Sequence, residues 1–241
     1  MNLTRWLAVA VLAAGVVAAG GLWYVFFRAS GPPPVALSSA GASAGSVATL
    51  APVGSASPAG TLSGGLDGTW SVDTSRGSFV GYRVQEQLAG IGGNTAVGQT
   101  TAVTGSLTIS GTSVTDVEVT ADLTALKSDD ERRDGQLQQR GLETDTFPTA
   151  TFKLTQPIDL GSVPADGQTI TATATGQLTL HGVTKTVQVP LQARLSGNTI
   201  EVVGSVDILF SDYSIIAPTS FIALSVADHG TMELHLFFTH A

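Results

Sequence analysis

From Phe79 to the C-terminus, apolar and polar residues alternate with a period of two, the pattern of strands with one dry face. The cleanest stretch is Gly176–Leu191. Leu178 and Leu180 run up to His181-Gly182, and Val183, Val187, Val189 and Leu191 run away from it. Alternation on both sides of a Gly-containing pair predicts a β-hairpin. Phe79–Leu88, Val97–Ile109, Val114–Leu126, Thr149–Leu154, Thr169–Leu180, Val183–Leu195 and Thr199–Phe210 read as further strands. Phe221–Val226 and Thr231–Phe238 close the series, with Ala227-Asp228-His229-Gly230 as a hairpin-type turn. Gly176, inside an otherwise good strand, predicts a bulge or bend.

One segment departs from this period. Ser128-Asp129-Asp130-Glu131 has the spacing of a capping box, and good helix formers run from Glu131 to Arg140, with Gly141 as the stop. About eight strands with one short helix predict an all-β fold, an antiparallel barrel or a sandwich. A closed barrel of that size removes exposed edges and holds either packed side chains or one ligand.

The N-terminal quarter follows another pattern. Leu7–Phe27 is uninterrupted apolar sequence between Arg5 and Arg28, long enough to span a bilayer as a helix, with Trp6 at one end and Trp23, Tyr24, Phe26 and Phe27 at the other. A cleaved signal peptide is the alternative, with small residues at Ala18-Ala19-Gly20-Gly21. The uncleaved anchor is preferred, because the apolar run continues past that point. Arg5 and the free amino terminus favour a cytoplasmic start, which places the C-terminal domain outside the cytoplasm on the periplasmic or cell-surface side. Residues 29–66 carry three consecutive prolines, Pro32, Pro33 and Pro34, then Ser, Ala and Gly, which predicts a flexible tether. The division is therefore an anchor at 1–28, a linker at 29–66 and a barrel domain at 67–241.

Charge narrows the function. All 19 acidic residues lie from Asp67 onward with nine of the 11 basic ones, so that part carries −10 and repels a phosphate backbone. Nucleic acid is an unsuitable partner. The absence of cysteine excludes thiolate metal sites and a cysteine nucleophile. No pair of histidines has metal-ligand spacing, no serine lies in a nucleophile elbow, and no cofactor is called for. His181 and Lys185 are the most chemical-looking pair: they read either as head-group contacts or as residues serving the turn. Arg133, with Arg132 and Arg140, reads either as a phosphate contact at a barrel mouth or as a partner of Asp129, Asp130, Glu131 and Asp134. His235 alternates with Leu234 and Leu236, so it belongs to the face opposite the apolar row.

Four motifs in order resemble the YceI-like family: Trp70-Ser-Val-Asp73 leading to Phe79, and Arg133-Asp134-x-x-Leu137 with Phe147-Pro148-x-Ala150-x-Phe152. The third is Gly176-x-Leu178-Thr179-Leu180-His181-Gly182-Val183-Thr184-Lys185 ending at Pro190; the fourth is Phe210-Ser-Asp212-Tyr213-x-Ile215. The resemblance implies a lipocalin-like barrel whose lumen holds an isoprenoid or other long-chain lipid outside the cytoplasm. Many members have a His after Arg-Asp where this chain has Gly135-Gln136, and aromatic residues where it has Gly141-Leu142-Glu143.

The leading reading is a membrane-tethered lipid-binding protein, not an enzyme. Its lumen residues are expected at Leu107, Val119, Ala121, Phe152, Leu178, Leu180, Val189, Leu191, Ile208, Leu224 and Leu234. The rival is a filled barrel serving as an envelope interaction or scaffold module, which a small lumen would favour.

Overall fold

The computed structural model describes residues 32–38, 65–90, 92–218 and 223–241. The run Leu7–Phe27 and linker positions 39–64 lie outside them. Among the described residues, no helix is long and apolar enough to cross a membrane.

The strands, in chain order, are β1 (Gly68–Val72), β2 (Phe79–Leu88), β3 (Gly92–Thr100), β4 (Val103–Ser110), β5 (Ser113–Asp122) and β6 (Lys127–Ser128). After helix α1 (Glu131–Gln136), which continues into a wider turn over Leu137–Gly141, come β7 (Thr149–Leu154), β8 (Ile158–Asp159) and β9 (Thr169–Leu180). The last four are β10 (Val183–Ser196), β11 (Thr199–Leu209), β12 (Ala223–Val226) and β13 (His229–His240). Pairing runs β1-β4-β5-β7-β9-β10-β11-β13, and β13 pairs back to β1, so eight antiparallel strands close into a barrel. β2 pairs with β13 beyond the end of β1 and carries β3, then β6, on its other side, so that β2 and β3 wall the upper end.

The lower end is packed shut. Trp70 is fully buried among Leu66, Leu107 and Phe238, and its indole N–H donates to the Leu66 carbonyl at 3.0 Å. Burying a side chain of this size contributes about 3 kcal/mol, and the hydrogen bond removes the cost of an orphaned indole N–H. At the upper end the strands stop short. The opening is covered by α1, whose N-cap is Asp130: its carboxylate accepts from the N–H groups of Arg132 and Arg133. The capping residue is thus Asp130 and not Ser128. Ser128 instead donates its hydroxyl to Asp134 at 2.6 Å and ties the helix to β6.

Several strand expectations change. Val97–Ile109 divides into β3 and β4, which are not paired with each other, because the chain turns at Thr101-Ala102 with the Ala102 N–H bonded to the Thr100 hydroxyl. Val114–Leu126 ends early at Asp122, whose carboxylate takes the N–H and hydroxyl of Thr124 in a local turn that competes with the ladder. Gly176 forms no bulge; its register is continuous with both neighbours. It is needed because a Cβ there would run into the Phe152 ring and the Lys153 carbonyl. The bulge sits in β5 instead, between the pairs Thr108–Asp116 and Ile109–Val114. Finally, β12 and β13 do not form a hairpin. Both lie along β2 in the same direction, β12 beside Glu86–Leu88 and β13 beside Phe79–Arg83, so 227–228 is a kink in one edge.

Candidate functional site

Even-numbered residues of β2, β9, β11 and β13 and odd-numbered residues of β5 and β10 face the lumen. They enclose two chambers that meet at Val80 and Met232. The lower one has a volume of about 180 Å³ and is walled by aliphatic chains with Phe152 and Phe238. Its wall is interrupted below Leu154, where β7 ends, and Ile158 of β8 with Leu160, Pro164 and Gln168 of the following loop closes that seam.

The upper chamber, about 370 Å³, is wider and has polar groups at its mouth. β2 delivers Tyr82 and Glu86 on its lumen face, and α1 brings Arg132, Arg133 and Gln136 over them. Arg133 donates to Glu86 at 2.9 Å and to Asp129 at 2.5 Å, while Asn94 donates to the same Glu86 oxygen at 2.7 Å. Burial works against the Arg133 charge, but Asp129 and Glu86 outweigh it and hold its pKa above the ordinary value. The Tyr82 hydroxyl is shut off from solvent without a hydrogen-bond partner. Burial pushes its pKa up to about 12, so it stays a neutral donor. The ring lies over Gly98 of β3, where a Cβ would strike it, so the ring forms the chamber wall and the hydroxyl is buried behind it.

Among the residues singled out in the sequence, Leu107, Val119, Ala121, Phe152, Leu178, Val189, Leu191 and Leu234 line the lower chamber. Leu180, Ile208 and Arg133 line the upper one. Leu224 does not face the lumen. It lies on the short strand β12, which pairs with β2, and remains 64% exposed. His181 and Lys185 border neither chamber. His181 and Gly182 both have positive φ, 51° and 73°, and make the two-residue turn that joins β9 to β10. The His181 Nδ1 meets the Tyr213 carbonyl at 3.0 Å, and its ring stands edge-on to Phe147, 4.6 Å between centroids. Lys185 faces Asp212 at 3.7 Å on the open surface. The turn is thus held by Phe147 and by Tyr213, which is buried in the core beneath it.

Sequence reasoning passed over Tyr82 and Glu86. A signal was present: Glu86 sits in the apolar row Val80, Val84, Leu88, where a carboxylate needs a partner. That the partner is Arg133, 47 positions away, is a matter of tertiary placement.

A family model described as the YceI-like domain matches residues 70–238. Among solved structures, the chain is similar to a polyisoprenoid binding domain from Saccharophagus degradans implicated in plant cell wall breakdown. The two share 22% identity and a TM-score of 0.58 over 71% of this chain and 98% of that one. BcnA from Burkholderia cenocepacia is similar at 22% identity and a TM-score of 0.54, over 69% of this chain and 98% of that one. No curated protein matches.

Proposed function

The chain belongs to the YceI-like domain family, and on that premise we propose that it binds an isoprenoid or similar long-chain lipid within its barrel. The observation that carries this is the polarity gradient along the lumen: an aliphatic lower chamber continuing into an upper one whose polar groups gather at the mouth. The lipid tail fills the lower chamber, and its polar end meets Arg132, Arg133 and Gln136. Burying hydrocarbon contributes roughly 0.8 kcal/mol per methylene before ordering costs, so few polar contacts are needed. The polyisoprenoid binding described for the Saccharophagus domain is consistent with this choice of ligand.

The reading is of a carrier and not an enzyme; a lumen walled by aliphatic chains favours holding over chemistry. The apolar run Leu7–Phe27 supports a membrane anchor with the barrel outside the cytoplasm, where a tethered carrier exchanges a water-insoluble ligand over a short distance. The test is organic extraction of the purified full chain followed by mass spectrometry. Recovery of a stoichiometric long-chain lipid is expected, displaced in an Ala174→Phe variant that fills the lower chamber. A folded, lipid-free protein that takes up no prenol from vesicles would overturn the proposal.

A further inference from the structure

The outer wall of β2, β13, β11 and β10 carries an unusual set of groups. Glu201 and Val203 on β11 and Glu233 and His235 on β13 point away from the lumen, yet Glu201, Val203 and Glu233 are buried. Each carboxylate holds an arginine: Arg83 meets Glu233 at 2.7 Å and Arg194 meets Glu201 at 2.7 Å, while His235 adds a contact to Glu201 at 2.9 Å. Across this wall lie residues 32–38, Pro-Pro-Pro-Val-Ala-Leu-Ser, with Val35 and Leu37 half-buried and Ala36 exposed between them.

The contacts at the two ends match the chemistry of the segment. Prolines have carbonyls and no N–H, so a proline run can accept but not donate. At that end the wall supplies only a donor: the Arg83 guanidinium donates to the carbonyls of Pro32 and Pro33 at 2.5 and 2.6 Å. Ser38 has both backbone groups, and both are met. Its N–H donates to Glu201 at 2.6 Å, and its carbonyl accepts from Arg194 at 2.5 Å. Burial works against the Glu201 charge, but Ser38, His235 and Arg194 together hold its carboxyl below the usual range. The five residue steps from Pro33 to Ser38 cover about 16 Å in an extended proline-type conformation, enough to cross the three interstrand intervals from β2 to β10, about 14 Å.

We propose that this wall is a clasp for the chain's own Pro32–Ser38 segment, so that part of the linker is a docked strap and not free tether. The docking stands on the hydrogen bonds; its consequence for reach rests on the anchor reading above. With the strap seated, three residues separate Arg28 from Pro32 and the barrel stays within about 14 Å of the end of the anchor. Released, the whole 29–66 linker would have a root-mean-square reach of roughly 35 Å. The clasp therefore sets whether the barrel is held at its anchor or ranges from it.

The chain lacks cysteine, so single cysteines report on the strap in the full-length protein in detergent. Leu37→Cys is expected to react with a maleimide about tenfold more slowly than Ala36→Cys, as a docked, alternating strap requires. In an Arg83→Ala, Arg194→Ala background the two rates should converge. Equal rates on the unaltered wall overturn the clasp. Should the wall variant fail to fold, amide exchange in the unsubstituted chain decides. A Ser38 amide protected about tenfold is expected, and one exchanging at the unstructured rate refutes docking. Protection that falls on dilution identifies exchange between two copies and overturns an intramolecular strap. None of these readouts depends on whether lipid is bound, so the clasp and the carrier function fail separately.

Discussion

The two chambers of the lumen are built on different principles. The lower one is defined by packing: Trp70 seals it, and aliphatic side chains of neighbouring strands make most of its wall. The upper one adds pairing to packing: Leu137 and Leu142 pack into its core, and Arg133 meets Glu86 while Ser128 meets Asp134. A packed floor resists local opening, whereas a helical cover held in part by polar contacts belongs to the low-stability end of a fold.

The largest expected effect is at the floor. Trp70→Ala should cost about 3–5 kcal/mol in urea unfolding, because it removes the central packed side chain and leaves a cavity. A loss below about 1 kcal/mol would mean that the lower end is not the rigid half. Breaking the upper pair should cost less. Glu86→Ala leaves Arg133 without its buried partner, but Asp129 remains, so about 2 kcal/mol is expected instead of the roughly 3–5 of a fully buried pair. Hydrogen exchange should then rise in α1 and β6 and stay unchanged in β1 and β4; a uniform rise would erase the distinction between the chambers.

Tyr82→Phe sharpens the comparison by acting on the upper wall alone. Removing a buried hydroxyl without a hydrogen-bond partner should stabilise the barrel by up to about 1 kcal/mol in urea unfolding. In the parent protein, ultraviolet titration should place the Tyr82 phenol near 12. The smallest effect is at the helix cap, where Asp130→Ala should cost about 1 kcal/mol or less. Bonds from the N–H groups of Arg132 and Arg133 hold the Asp130 carboxyl below its usual value of 3.8. Its contribution is therefore complete above that pH and is lost as pH falls through the lower folded-state value. Melts of Asp130→Ala and the parent should converge in strong acid; a gap that persists there would contradict the capping role.

The sequence by itself determined the strands, the apolar rows and hence the lumen. Leu107, Leu178, Val189 and Leu234 could be placed on a dry face because the side-chain period of two is a local property of extended backbone. The family motifs were legible for the same reason, being short and contiguous. Other features were decided by residues brought together across the chain. Glu86 with Arg133 made the upper mouth, Phe147 and Tyr213 held the His181 ring beside its turn, and Phe152 explained Gly176. β12 looked like half of a hairpin because a turn-like sequence precedes β13, but both strands had β2 as a nearer edge. The linker shows the division most plainly. Its composition predicts a free tether, since seven residues of Pro, Val, Ala, Leu and Ser cannot order themselves, and only the wall of Arg83, Arg194 and Glu201 supplies the partners that hold residues 32–38 in place.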